Sequence, residues 1–137
     1  MPFAAVAVIA VTAGRTLAAS CPDMRSAELR AADRVLITSS MNDPLRTISD
    51  PSSISDLVAF AEAHESGWGA PWWGPSGGLL RANFYSRNRF LGDLGVGSDF
   101  LAAQGCADLQ SRPLPAGDRA AVIRMFGVPD PYKDSVR

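Results

Sequence analysis

This sequence is poor in the residues that most metal sites and hydrolytic active sites require. Its 137 residues include one histidine and two cysteines. A zinc ion needs three or four protein ligands, so these few residues cannot supply a usual zinc site. The segment 74–78 matches the G-x-S-x-G pattern of serine hydrolases, but His64 precedes Ser76 and two glycines stand where a helix should begin. We therefore expect neither metal catalysis nor a serine-hydrolase triad.

A strong net charge and a long apolar run are also missing. Thirteen Lys and Arg residues against fourteen Asp and Glu residues give a formal net charge of −1. Such a balance produces no field that would hold nucleic acid or an anionic membrane surface. With 47% hydrophobic and 20% charged residues, the chain has an ordinary globular composition. We expect one folded domain with no nucleic-acid partner, and no motif indicates a cofactor.

The first twenty residues contain an apolar segment of the length found in export signals. Phe3–Ala13 is shorter than the ~20 residues that a membrane-spanning helix needs. Small side chains at Ala18 and Ser20 then precede Cys21, a pattern that signal peptidases recognise. We expect residues 1–20 to be a signal peptide and the mature protein to be periplasmic or secreted. The alternative is a buried strand over Val6–Thr12.

Several roles stay open for Cys21. In an oxidising compartment it could form a disulfide with Cys106, closing a loop of about 85 residues. It could instead carry a lipid anchor, since Leu-Ala-Ala-Ser-Cys resembles a lipobox, although Leu17 lies four residues before the cysteine rather than three. The protein would then contact the membrane only through its signal peptide or its lipid anchor. Two free thiols are the third interpretation.

The hydrophobic pattern predicts a small α+β fold. Val35–Thr38 and Leu45–Ile48 flank a turn and predict a hairpin. Asp50 is a suitable N-cap for a helix that starts at Pro51 and ends near Gly67. The other predicted elements are a second hairpin over 79–85 and 89–94, a helical turn over 100–103 that is ended by Gly105, a strand over 109–112 and a helix over 116–126.

These elements predict one small antiparallel sheet with about two helices packed on one face. The expected division of the chain is a signal peptide over 1–20, a linker and first strand over 21–44, an α+β domain over 45–128 and a tail over 129–137. Glycines at 92, 95 and 97 do not fit a dinucleotide-binding motif and are expected to bend or bulge a strand.

All three tryptophans lie within six positions, between glycines and prolines. We expect Trp68 and one of Trp72 or Trp73 to fill a local core, and the remaining indole to be available for a ligand. Nearby, Arg81, Tyr85 and Arg87 share strand parity and predict one cationic, aromatic face. The alternative is a solvated face whose arginines pair with acids. The candidate ligand-binding residues are Trp72, Trp73, Arg81, Tyr85, Arg87 and Arg89.

The region from Ile48 to Val128 resembles a group of small bacterial exported proteins. The resemblance depends on the order of its motifs, which are Asp50-Pro51 before a helix, a Trp/Pro loop, Asn83-Phe84-Tyr85, Phe90-Leu91-Gly92, Gly95-Val96-Gly97, Phe100-Leu101 and a closing helix. It implies export and a small α+β domain, and it carries no activity or catalytic residue.

A binding role is the function that these features favour. The expected partner is a glycan, a cell-wall fragment or an envelope protein, held by indole and guanidinium groups. A small hydrolase or inhibitor-like module using carboxylates such as Asp93 or Asp99 is the first alternative. A structural, oligomer-forming envelope protein is the second.

Overall fold

The computed structural model describes residues 26–69, 80–105 and 108–133 of the chain. The expected signal peptide and several residues singled out above lie outside these ranges, namely Cys21, Trp72, Trp73, Ser76 and Cys106.

The described residues form one six-stranded antiparallel sheet and two α-helices, which confirms the α+β prediction. A short 3₁₀ helix, Ser26–Ala31, precedes the first strand. The order of strands across the sheet is β2-β1-β3-β4-β5-β6. The strands are β1 Arg34–Ser39, β2 Pro44–Ile48, β3 Leu80–Ser86, β4 Arg89–Val96, β5 Phe100–Gly105 and β6 Asp108–Pro113, and the helices are α1 Pro51–Glu62 and α2 Ala116–Phe126.

The strands bury alternate residues because successive side chains point to opposite faces of a sheet. On β3, Leu80, Ala82 and Phe84 are at most 5% exposed, whereas the residues between them are partly exposed. The inner face continues onto both neighbouring strands, because paired residues point to the same side. Val35 of β1 pairs with Phe84, and Leu94 of β4 pairs with Ala82. Apolar residues of both α-helices and of the 3₁₀ helix join the same core cluster, so the helices cover the inner face.

Helix α1 begins where the sequence predicted and ends earlier. The Asp50 side chain accepts a hydrogen bond from the Ser53 amide (3.0 Å), and Pro51 occupies the first turn. The helix ends at Glu62 and its C-cap is Ala63. Gly67 does adopt a left-handed φ of 84°, but in the chain that follows the helix.

The segment 100–103 is a strand, so the prediction of a helical turn there was wrong. Phe100–Gly105 pairs with β4 on one side and with β6 on the other. Hydrogen bonds to two neighbouring strands and burial of Leu101 and Ala103 against the core outweigh the local helical preference of a Leu-Ala-Ala run. The remaining predicted hairpins, the 109–112 strand and the 116–126 helix are confirmed.

Candidate functional site

One end of the outer sheet face carries an aromatic and basic row. Arg34 on β1, Tyr85 on β3 and Phe90 on β4 are successive register partners across three strands. The Arg34 guanidinium carbon lies 4.4 Å from the centroid of the Tyr85 ring. The Tyr85 and Phe90 rings meet edge to face, with centroids 5.6 Å apart. Phe90 remains 51% exposed, which is unusual for a large apolar side chain in a small domain.

The hairpin turn beside this row holds Arg87 in a strained backbone conformation. Arg87 is the first residue of a two-residue turn and has a φ of 57°, a left-handed value that bulky residues adopt rarely. The Asp33 carboxylate accepts its amide hydrogen, with N···O distances of 3.0 and 3.2 Å. The Arg34 guanidinium donates to its carbonyl (3.3 Å). Asp33, just before β1, and Arg34, its first residue, therefore bind the amide and the carbonyl of Arg87.

Arg34 and Arg87 lie at this end of the outer face, and neither guanidinium has an acidic partner among the described residues. Arg87 is exposed, and Arg34 is partly exposed. Arg89 is also exposed, but its register partner is Ser86, so its side chain points to the face opposite Tyr85 and Phe90, and the structure does not place it with them as predicted. The ion pairs that the described residues form involve Arg30, His64 and Arg81 instead. Asp33 is the nearby carboxylate, and its oxygens face the Arg87 amide. We call Arg34, Tyr85, Arg87 and Phe90 the basic–aromatic surface.

The structure places Arg81 apart from this surface. Arg81 and Tyr85 lie on the same face of β3, as their parity predicted, but they are four residue steps apart along the strand, which is roughly 13 Å. The Arg81 guanidinium forms an ion pair with Asp93 (3.7 Å). Between them, the Asn83 amide donates to the Leu36 carbonyl (3.0 Å) and the Thr38 hydroxyl (3.2 Å). This part of the outer face satisfies its own polar groups.

Trp68 belongs to the core, as expected for one of the three indoles. It is 8% exposed, and its indole nitrogen donates to the His64 carbonyl (2.6 Å). The His64 ring stacks on Phe60, and Nδ1 lies 2.7 Å from the Phe60 carbonyl, so Nδ1 carries the donated hydrogen. Nε2 lies 3.5 Å from an oxygen of Asp118 on α2. His64 thus ties the end of α1 to α2.

The two carboxylates considered for hydrolysis have different surroundings, since Asp93 is paired and Asp99 is exposed. Asp93 is largely buried and paired with Arg81, whereas Asp99 lies in the turn after β4, where its carbonyl accepts the Leu114 amide (2.9 Å). Over the described ranges, no group of three or more metal-ligating side chains is assembled. No helix in those ranges is long and apolar enough to cross a membrane.

Sequence reasoning missed Arg34, Asp33 and the contribution of Phe90. The two-residue turn could have identified Phe90, because it places Phe90 beside Tyr85. Alternation alone would have put Phe90 on the inner face with Leu94, and the bulge beside Gly92, which the glycine pattern predicted, moves it to the outer face. Arg34 and Asp33 lie about fifty residues before Tyr85 and reach the site only through pairing of β1 with β3. No local sequence pattern predicts that pairing.

Comparisons with known proteins do not assign this site. No family model, curated protein or solved structure matches the chain.

Proposed function

We propose that this protein is a small exported binding protein of the bacterial envelope, and that the basic–aromatic surface holds an anionic glycan. The strained turn is the observation that carries the proposal. A left-handed, non-glycine residue costs of order 1–3 kcal/mol, and such strain concentrates at ligand-binding and catalytic positions. Here the strained residue is an arginine whose turn lies beside the Arg34 guanidinium and the Tyr85 and Phe90 rings.

The chemistry of the surface supports a ligand that is both charged and hydroxylated. Guanidinium groups bind carboxylates and sulfates through paired hydrogen bonds. The Tyr85 and Phe90 rings supply an apolar face on which a sugar ring can pack. Because Asp33 and Arg34 already order the turn, little conformational entropy remains to be lost on binding.

The test of this surface uses trigalacturonic acid as the probe and cellotriose as its uncharged control. Arg87→Gly is the most informative variant, since glycine favours the left-handed turn and only the side chain is lost. We expect about tenfold weaker binding of trigalacturonic acid for Arg87→Gly, measured by calorimetry. Arg124→Gln removes an exposed arginine from α2 and should leave the affinity unchanged.

Three results would contradict the glycan proposal. Trigalacturonic acid could fail to bind, it could bind no better than cellotriose, or it could bind Arg87→Gly as tightly as the wild type. Light scattering at several concentrations tests the oligomer alternative. Self-association that Arg87→Gly abolishes would identify the surface as a contact between copies.

Export is the part of the proposal that rests on the apolar segment Phe3–Ala13 and the small residues before Cys21. Intact mass spectrometry of the protein from its native cells detects cleavage, lipidation and disulfide formation in one measurement, because each changes the mass. We expect a chain that begins at Cys21, carrying either a lipid or the mass loss of a disulfide with Cys106. An unmodified chain that retains residues 1–20 would overturn export.

A further inference from the structure

A cleft on the helix side of the molecule carries chemistry that the basic–aromatic surface does not use. It has a volume of about 440 Å³ and lies between the 3₁₀ helix and α1. This size falls within the range of small-molecule sites. Its walls come from the segment that ends the 3₁₀ helix and leads into β1, and from the start and one side of α1.

The floor of the cleft is aliphatic. Ile54 and Val58 lie one turn apart on α1 and are 5% and 7% exposed. Pro51 and Ala32 extend this apolar lining. Such a surface accepts a branched aliphatic group by excluding water, without any directional requirement.

The rim of the cleft carries one positive and one negative group. Arg30 forms an ion pair with Glu62 through its Nε and Nη2 atoms. The two hydrogens of Nη1 therefore remain available to a ligand. Asp33 accepts the Arg87 amide but has lone pairs left for a second donor. Exposed hydroxyls at Ser49 and Ser55 complete the rim.

We propose that this cleft binds an α-amino acid with an aliphatic side chain. The ligand carboxylate pairs with Arg30, its ammonium group pairs with Asp33, and its side chain lies on Ile54 and Val58. Because Glu62 already neutralises Arg30, the match depends on the groups that remain: a zwitterion can pair with both Arg30 Nη1 and the Asp33 lone pairs, whereas an anion or a cation can pair with only one of them. The proposal uses no side chain of the basic–aromatic surface and shares with the glycan site only Asp33, whose oxygens also accept the Arg87 amide.

Calorimetry of the full chain with leucine tests the assignment. We expect saturable one-to-one binding of leucine, and at least about tenfold weaker binding of N-acetyl-leucine and of leucine amide, each of which lacks one charge. Glycine, which lacks the side chain, should give no saturable heat. Binding of N-acetyl-leucine as tight as that of leucine would overturn the zwitterion assignment.

Two pairs of variants locate the ligand. Ser55→Phe places a ring in the cleft and should abolish leucine binding, whereas Ala59→Phe places the same ring on an exposed position of α1 outside the cleft. Arg30→Gln should weaken binding about tenfold, with Arg124→Gln as its control. Asp33 is left intact because it also holds the Arg87 turn.

Thermal melts establish that each variant is folded. The proposal is overturned if the folded wild type shows no saturable binding below about 10 mM leucine. It is equally overturned if leucine binds Ser55→Phe and the wild type alike.

Discussion

At the scale of single residues, the carboxylate of Asp50 defines where α1 begins. It accepts hydrogen bonds from the Ser52 hydroxyl (2.6 Å), the Ser53 hydroxyl (2.9 Å) and the Ser53 amide (3.0 Å). These bonds favour the ionised form, and the Ser52 hydroxyl contributes most to lowering the pKa of Asp50 below its ordinary value of about 3.8. The helix dipole acts in the same direction.

Replacing Asp50 should therefore change both stability and its pH dependence. We expect Asp50→Ala to lower the free energy of unfolding at neutral pH, and Asp50→Asn to lower it less, because Asn remains an acceptable N-cap. In the wild type, the stabilisation from ionised Asp50 is fully present above the unfolded-state pKa, and it is lost as the pH falls through the lower folded-state pKa. Urea unfolding at neutral and acidic pH measures both effects.

Asp56→Asn is the matched control, since Asp56 is an exposed acid within the same helix. The two Asp50 variants should lose part of the acid-induced destabilisation that the wild type and the control show. An identical acid dependence in Asp50→Asn and the wild type would contradict the role assigned to this carboxylate.

At the scale of elements, glycines lie at both ends of α2, and only the one after the helix needs to be glycine. Gly127 follows the helix in a left-handed conformation with a φ of 72°, and its amide donates to the Ile123 and Arg124 carbonyls (3.2 and 3.1 Å). A Cβ atom at Gly127 would overlap the guanidinium of Arg46, which donates to the Phe126 carbonyl (3.3 Å). Gly117 lies in the first turn, where a Cβ atom would meet no neighbour within 4 Å.

Alanine at these two glycines should change stability in opposite directions. We expect Gly127→Ala to cost about 1–2 kcal/mol because of the left-handed backbone, with displacement of Arg46 adding to that cost. Gly117→Ala should gain up to about 1 kcal/mol through helix propensity. Thermal and urea unfolding of the pair provide the comparison, and a loss of stability in both variants would show that the two environments are not as described.

At the scale of the whole molecule, residues after α2 complete the fold. Tyr132 is 6% exposed, and its hydroxyl donates to the Val96 carbonyl at the end of β4 (3.0 Å). Arg119 of α2 lies over the Tyr132 ring at 5.5 Å and donates to the Ser98 carbonyl in the next turn. The segment 129–133, expected from the sequence to be a tail, thereby contacts the β4–β5 turn.

Removing the Tyr132 hydroxyl should destabilise the whole domain. We expect Tyr132→Phe to lower the free energy of unfolding by about 1–2 kcal/mol, because the buried Val96 carbonyl loses its donor. Tyr85→Phe is the control, since the Tyr85 hydroxyl forms no hydrogen bond within the described ranges. Urea unfolding should show a lower midpoint for Tyr132→Phe at an unchanged slope. Equal stability of Tyr132→Phe and the wild type would show that this contact does not support the fold.

The sequence by itself determined the elements whose signals are local. The Asp50 cap, both early hairpins and the α2 helix depend on residues within a few positions of one another, so propensity and turn chemistry identify them. Alternation along β3 likewise placed Tyr85 on the outer face. The same local reasoning failed at Phe100–Gly105, where a helix-compatible segment became a strand.

The tertiary structure decided which distant residues meet. Pairing of β1 with β3 brings Asp33 and Arg34 to the Arg87 turn, and it leaves Arg81 with Asp93 farther along the same face. Strand register over such separations depends on burial of a whole sheet face, because a one-residue shift would expose every core side chain of the strand. The free energy of burying this face arises only when the strands are assembled, so the sequence of a single segment does not predict the register.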